Sequence, residues 1–163
     1  MEIIDTPHSV IDHSDKKLKV TTGIIEFQEV DFSYDGESQV FDKLSFRVKP
    51  GERVGLVGPS GGGKTTVGKL LFRFYDIQGG KILIDEQDIS QVTQESLRSQ
   101  VGMVPQDPVL FHRSIRENII YGKPNATDEE IIAAAKMARC YDFIEKLPNK
   151  YDTLVGERGI KLS

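Results

Sequence analysis

Alternating apolar and polar residues dominate the first part of the chain, a pattern typical of β-strands. Residues 25–27 follow one phase of the alternation and residues 30–34 follow the other, so the phase slips across Gln28–Glu29. A slip of this kind predicts a bulge, or a break between two strands. Residues 44–48 alternate again until Pro50–Gly51 ends the pattern.

Three further runs are continuously apolar rather than alternating. "RVGLVG" (residues 53–58) predicts a strand that is buried on both faces, and "VGMVP" (residues 101–105) predicts another apolar strand that ends at Pro105. "KILID" (residues 81–85) predicts a short strand.

Helical periodicity appears in three other places and makes the predicted fold class α/β. Apolar residues recur at helical spacing after residue 64: Val67, Leu70, Leu71 and Phe74. "QESLRSQ" (residues 94–100) predicts a short helix with Thr93 as its cap. "TDEE" (residues 127–130) predicts a capping box, and it opens a helix with the apolar face Ile131, Ala134, Ala135 and Ala138.

Composition narrows the class of protein. The chain has 163 residues, 38% hydrophobic and 28% charged, which fits one soluble domain. Its net charge of −4 gives no general attraction to nucleic acid, so we expect no nucleic-acid partner and any anion site must be built locally. Cys140 is the single cysteine, and no apolar run approaches the roughly 18 residues of a membrane helix. The N-terminus lacks the apolar segment of a signal peptide.

One local anion site is evident in "GLVGPSGGGKTT" (residues 55–66). It fits the phosphate-loop pattern G-x-x-x-x-G-K-[ST] and lies between an apolar run and an amphipathic helix. Glycines allow backbone N–H groups to approach phosphate, and the following helix directs its positive end to the same anion. The candidate residues are Gly58, Ser60, Gly61, Gly62, Gly63, Lys64 and Thr65. The loop predicts nucleotide binding, but kinases, GTPases and transport ATPases all use it.

Flanking stretches resemble the nucleotide-binding domain of ABC transporters. "EVDFSYDG" and "LLFRFYD" carry the resemblance, and "VPQDPVLFHRSIRENI" is similar to the exporter branch. The resemblance implies an ABC-type P-loop NTPase core, incomplete, with an antiparallel β subdomain and the start of the helical subdomain. It also implies that residues 1–22 are a tether from a membrane domain and that residues 23–163 are the N-terminal portion of the nucleotide-binding domain.

The resemblance assigns roles to individual residues. Tyr34 matches the aromatic residue that stacks on adenine, and Lys64, Thr65 and Thr66 match the contacts to phosphate and Mg²⁺. Gln106 matches the glutamine that reaches the metal and the attacking water, so Thr65 and Gln106 are the expected Mg²⁺ ligands. ATP and Mg²⁺ are the implied cofactors.

The end of the chain carries further implied contacts. Glu157 and Arg158 match a loop that contacts the transmembrane domain, and Ser163 matches the signature motif. The implied partners are the transmembrane domain of the same transporter and a second nucleotide-binding domain. The implied location is the cytoplasmic face of a membrane, such as a bacterial inner membrane, with this chain alone being soluble.

The catalytic half of such a domain is not evident in the sequence. "ILIDE" (residues 82–86) looks like a Walker B strand, but its apolar run is one residue short and it precedes Gln106. No other candidate follows Gln106, so we expect the parent domain to hydrolyse MgATP and this chain to bind ATP without hydrolysing it. Two alternatives stay open: a non-catalytic module that ends naturally at Ser163, and a different P-loop NTPase that uses Asp85 and Glu86.

Overall fold

The structure is a computed structural model that describes residues 10–106 and 109–156. Two compact units make up the chain, Met1–Met103 and Val104–Ser163. The first unit contains a sheet with two helices, and the second is helical.

An antiparallel sheet is the centre of the first unit. Its strands are β1 (Ile25–Ser33), β2 (Gln39–Val48), β3 (Gly79–Ile84) and β4 (Gln87–Asp88), in the order β2-β1-β3-β4. All three pairs of neighbouring strands are antiparallel. The alternation predicted β1 and the second half of β2 correctly, because one face of the sheet is buried and the other is largely exposed. The run "KILID" predicted β3, whereas β4 was not predicted.

The predicted phase slip is an irregularity in β1. The pairing register with β2 shifts between Phe27 and Val30, and Glu29 has a φ of 46°. Phe27 and Val30 are 2% and 0% exposed, although they lie three residues apart along a strand. The irregularity returns Val30 to the buried face, since a regular strand would turn it outward.

Two helices complete the first unit: α1 (Lys64–Leu71) and α2 (Gln94–Gln100). Leu70 and Leu97 are fully buried in the core that they share with the sheet. The predicted Thr93 cap is confirmed, because its side chain accepts a hydrogen bond from the Ser96 backbone N–H at 3.3 Å.

The first helix is shorter than its predicted apolar face. Phe74 lies outside α1 and is 42% exposed. Arg73 has a φ of 49°, and a left-handed residue just after a helix ends it. The chain therefore turns away before Phe74 can join the buried side of the helix.

The two longer apolar runs do not form the predicted strands. Residues 53–58 and 101–105 have no strand assignment, and Val57 and Val104 are 95% and 94% exposed. The prediction of these two strands, and of burial on both faces for residues 53–58, is therefore wrong for this structure. An apolar run becomes a strand only where another strand pairs with it, and within residues 10–106 and 109–156 no strand pairs with either run.

The described residues of the second unit form three short α-helices, α3 (Ile115–Ile120), α4 (Asp128–Met137) and α5 (Tyr141–Glu145), and a 3-10 helix at Lys150–Asp152. Their core contains Ile115, Ala135, Ile144 and Val155. None of the helices in the part of the chain that the structure describes has the length and apolar character needed to cross a membrane.

Helix α4 begins at the predicted capping box. The Thr127 side chain accepts from the Glu130 N–H, and the Glu130 carboxylate accepts from the Thr127 N–H at 3.0 Å. The apolar face is narrower than predicted, since Ile131 and Ala135 are buried whereas Ala134 and Ala138 are exposed.

Candidate functional site

The phosphate loop leads directly into α1. Gly63 is the N-cap of this helix with a φ of 79°, and Gly61 has a φ of 81°. No side chain caps the helix, and its first turn carries no acidic residue. The N–H groups of that first turn therefore lack a side-chain acceptor, and together with the helix dipole they favour an anion.

Steric contacts require glycine at the end of this loop. A Cβ on Gly63 would lie 2.5 Å from Cε1 of Phe41, whose side chain is buried. A Cβ on Gly62 would lie 3.1 Å from the Pro59 carbonyl oxygen. A Cβ at Gly63 would therefore overlap the Phe41 ring, whereas one at Gly62 would require the Pro59 carbonyl to move by a few tenths of an ångström.

Lys64 lies across the loop that precedes it. Its Nζ donates hydrogen bonds to the carbonyl oxygens of Gly58 at 2.8 Å and Pro59 at 2.6 Å. The ammonium is held at the mouth of the loop by two backbone acceptors. Phosphate oxygens can replace these carbonyls as stronger, charged acceptors.

Two of the predicted site residues are in direct contact. The hydroxyls of Tyr34 and Thr66 share a hydrogen bond of 3.0 Å. Thr66 is buried at 6% exposure, whereas Tyr34 is 47% exposed. The contact ties the aromatic ring to the first turn of α1 and leaves about half of its surface open to a ligand.

Two residues beside Tyr34 were not anticipated from the sequence. The Tyr75 ring meets the Tyr34 ring edge-on, with centroids 5.0 Å apart, and Lys69 Nζ lies 5.3 Å from the Tyr34 centroid. Edge-to-face pairs and cation–π contacts at these distances are attractive. The sequence offered only an aromatic run at residues 72–75 and a lysine in α1, with nothing to connect them to Tyr34.

The residues present fit Mg²⁺ only together with a nucleotide. Thr65 lies exposed in the first turn of α1 and offers a hydroxyl oxygen. Among the residues that the structure describes, no group of three or more His, Cys, Asp or Glu side chains is placed to hold a metal. Mg²⁺ is usually bound by one or two protein oxygens plus phosphate oxygens and water, so a Thr65 site would depend on bound phosphate.

The remaining predicted residues lie outside this site or outside the described chain. Gln106 is an exposed residue of the second unit. Glu157, Arg158 and Ser163 lie outside the described residues. Their predicted roles therefore stay predictions.

Asp85 anchors the segment that precedes β1. Its carboxylate accepts six hydrogen bonds from the backbone and hydroxyl groups of residues 21–24. The hydrogen bond from the Thr22 hydroxyl, followed by the backbone N–H groups, holds the pKa of Asp85 far below its usual range. A carboxylate engaged in this way anchors the chain, which argues against a Walker B role for "ILIDE".

Comparison with known proteins identifies the family. The family model for "ABC transporter" matches residues 41–163. This chain belongs to the ABC transporter family. The match includes the phosphate loop, α1 and Gln106, and it agrees with the resemblance seen in the sequence.

The relatives are exporters and ATP-binding proteins of the same family. The ATM1-type heavy metal exporter of Novosphingobium aromaticivorans is 52% identical over 163 residues, which is 100% of this chain and 26% of that protein. An ABC transporter ATP-binding protein of Haemophilus influenzae is 48% identical over 169 residues, covering 100% of this chain and 28% of its own length.

A solved structure shares the fold. A bacterial Atm1-family ABC exporter with ATP bound superimposes with a TM-score of 0.91 at 52% identity, over 99% of this chain and 29% of that one. The antiparallel β subdomain and helical unit of this ABC family member are thus those of an exporter's α/β nucleotide-binding domain, as predicted. The chain spans between 26% and 29% of the lengths of these relatives.

Proposed function

We propose that this chain is the ATP-binding part of an ABC exporter, in which MgATP binding and hydrolysis drive transport of a substrate across a membrane. The observation that carries the proposal is a hydrogen bond between two of the proposed nucleotide-binding residues, which lie in one compact unit. Tyr34 is hydrogen-bonded to Thr66 at 3.0 Å, and Thr66 lies in the helix turn that the phosphate loop opens. The hydrogen bond supports an adenine contact at Tyr34 that lies close to the proposed phosphate contacts of α1.

The chemistry of the site follows from these residues. Lys64 would exchange the Gly58 and Pro59 carbonyls for phosphate oxygens, and the first turn of α1 would donate its backbone N–H groups. Thr65 and Gln106 would offer neutral oxygens to Mg²⁺ bound with the nucleotide. The Tyr34 face would stack on adenine, and stacking of this kind discriminates only weakly between bases.

The partners belong to the proposal as well. The high identity to exporters along the whole chain supports a transmembrane domain as the partner of the second unit and a second nucleotide-binding domain as the partner of the site. Residues 1–22 would connect the domain to the membrane part, at the cytoplasmic face of that membrane.

Calorimetric titration with MgATP tests the binding step. Lys64→Ala should weaken binding strongly while the circular dichroism spectrum stays unchanged, because the lysine contacts only exposed loop carbonyls. Lys81→Ala, which removes an exposed lysine on β3, is the matched control and should bind like the wild type. Equal affinity for wild type and Lys64→Ala would count against the site.

Phosphate release tests the catalytic step. The sequence has no Walker B candidate after Gln106, so no residue evident in it would align the attacking water. Release by this chain should therefore stay at background and be the same in wild type and Lys64→Ala. Steady turnover that disappears in Lys64→Ala would show that the chain is itself an ATPase.

A further inference from the structure

Arg73 is the most deeply buried charged side chain among the described residues, and the nucleotide contacts do not use it. It is 2% exposed and lies two residues beyond the end of α1. Its guanidinium donates to the carboxylates of Asp76 at 3.0 Å and Asp12 at 3.1 Å, and to the carbonyls of Val92 at 3.1 Å and Ile11 at 2.9 Å. A buried cation must be paired in this way, and two of its four acceptors come from the N-terminal segment.

Residues 10–24, here called the docked segment, contact the rest of the first unit along their length. Leu18 is 5% exposed within the core, and its N–H donates to Ser96 Oγ at 2.9 Å. The Lys16 carbonyl accepts from the Thr93 N–H at 2.8 Å. The segment begins near Arg73 and ends at the Asp85 anchor, so it is held at both ends.

The hydrogen bonds around Arg73 and Asp12 extend to α1, the helix that follows the phosphate loop. Arg98 of α2 donates to the carbonyls of Phe72 at 3.1 Å and Arg73 at 3.0 Å, which close the end of α1. Arg98 also donates to the Gln94 side chain at 2.8 Å, and the Gln94 N–H donates to the Asp12 carboxylate at 3.1 Å. Asp12 therefore contacts both the arginine that follows α1 and the first residue of α2.

Only the length of α1 separates Arg73 from the phosphate loop. The helix has 8 residues, and at about 1.5 Å per residue its two ends are about 12 Å apart. One end is the phosphate loop, and the other is fixed by Arg73 and Arg98. We expect a shift at the Arg73 end to reach the loop end, since a rigid helix can carry a displacement from one end to the other.

We infer that the Asp12–Arg73 ion pair makes the docked segment a positioning element for the phosphate loop, so that docking of the segment and binding of nucleotide stabilise each other. Arg73 and Asp12 are positioning residues, since they act through α1. The inference rests on the proposed nucleotide binding. Because such coupling is reciprocal, MgATP should also protect the docked segment.

Two measurements on the full chain test this inference. Hydrogen exchange followed by mass spectrometry reports the docking of residues 10–24, and calorimetry reports the affinity for MgATP. Asp12→Asn should speed exchange in the segment and weaken MgATP binding about twofold to fivefold, the upper part of the range expected for a partly exposed ion pair. Asp15→Asn, which neutralises an exposed carboxylate of the same segment, should change neither.

The reciprocal effect separates positioning from simple stabilisation. In the wild type MgATP should slow exchange in residues 10–24, and in Asp12→Asn this protection should be lost. Asp12→Glu keeps the charge and should restore part of both effects. A residue that only stabilises the fold would not alter nucleotide-dependent protection in this way.

Each contrary result overturns a definite part of the inference. Faster exchange in Asp12→Asn with unchanged MgATP affinity would overturn the coupling. Unchanged exchange in both Asp12→Asn and the charge-reversed Asp12→Lys would overturn the ion pair as the anchor. Absence of MgATP binding by the wild type would overturn the proposed function and the coupling with it, whereas the exchange data would still decide whether Asp12 holds the segment.

Discussion

Substitution of the glycine that opens α1 should destabilise the first unit through two separate effects. In Gly63→Ala the backbone keeps a φ of 79°, which costs a non-glycine residue about 1–2 kcal/mol. The new Cβ would also lie 2.5 Å from Cε1 of Phe41, and overpacking of a buried ring costs about 1–3 kcal/mol. The sum is about 2–5 kcal/mol in the free energy of unfolding.

Two neighbouring glycines provide matched controls. Gly61 has a φ of 81° but no atom within 4 Å of an added Cβ, so Gly61→Ala should lose only about 1–2 kcal/mol. Gly68 lies inside α1 with open space around it, so Gly68→Ala should raise the stability by about 0.5–1 kcal/mol. One loop and one helix thus give three different outcomes for the same chemical change.

Urea denaturation followed by circular dichroism measures all three variants. The order of midpoints should be Gly68→Ala, wild type, Gly61→Ala and Gly63→Ala, from highest to lowest. Phe41→Leu should cost less stability in the Gly63→Ala background than in the wild type, because it removes the ring that the new methyl group meets. Equal midpoints for Gly61→Ala and Gly63→Ala would refute the steric argument.

Two further predictions concern the ring contact and the chain anchor. If Tyr34 acts only by stacking, Tyr34→Phe should leave MgATP affinity and stability unchanged. The hydroxyl contact instead predicts that Tyr34→Phe and Thr66→Val are coupled by about 0.5–1.5 kcal/mol in the free energy of unfolding, measured in a double-mutant cycle. Additive effects of the two substitutions would contradict the contact. The hydrogen bonds to Asp85 lower its folded-state pKa below the unfolded value of about 3.9. Its contribution to stability is therefore complete above that pH and is lost as the pH falls toward the folded pKa. The difference in urea midpoint between wild type and Asp85→Asn should stay constant from pH 7 to about pH 4 and should narrow as the pH falls further to about pH 3, and a difference that does not narrow below about pH 4 would contradict this origin.

The failed strand predictions show where sequence patterns stop being sufficient. Residues 53–58 and 101–105 are as apolar as buried strands, yet Val57 and Val104 are almost fully exposed. Their composition reports a preference for burial, but a strand also needs a neighbour that satisfies its backbone hydrogen bonds. No local pattern contains that neighbour.

Other features could not be predicted from the sequence because they are formed by residues that lie far apart in the chain. Lys69 and Tyr75 approach Tyr34 only because α1, the chain that follows it and β1 meet in the same unit. The pairing of Asp12 with Arg73 joins residues that are 61 positions apart. Long-range charge pairs leave no local signature, since any of several acidic residues could have supplied the carboxylate.

The sequence by itself determined the features that depend only on residues close together in the chain. The phosphate loop, the cap at Thr93, the capping box at Thr127 and the slip in β1 all follow from backbone geometry over a few residues, and the structure contains each of them. Tertiary structure alone decided which apolar runs are buried, which carboxylate is an anchor, and how the segment before β1 packs. These outcomes depend on burial and pairing between distant segments, and those energies exist only after the chain has folded.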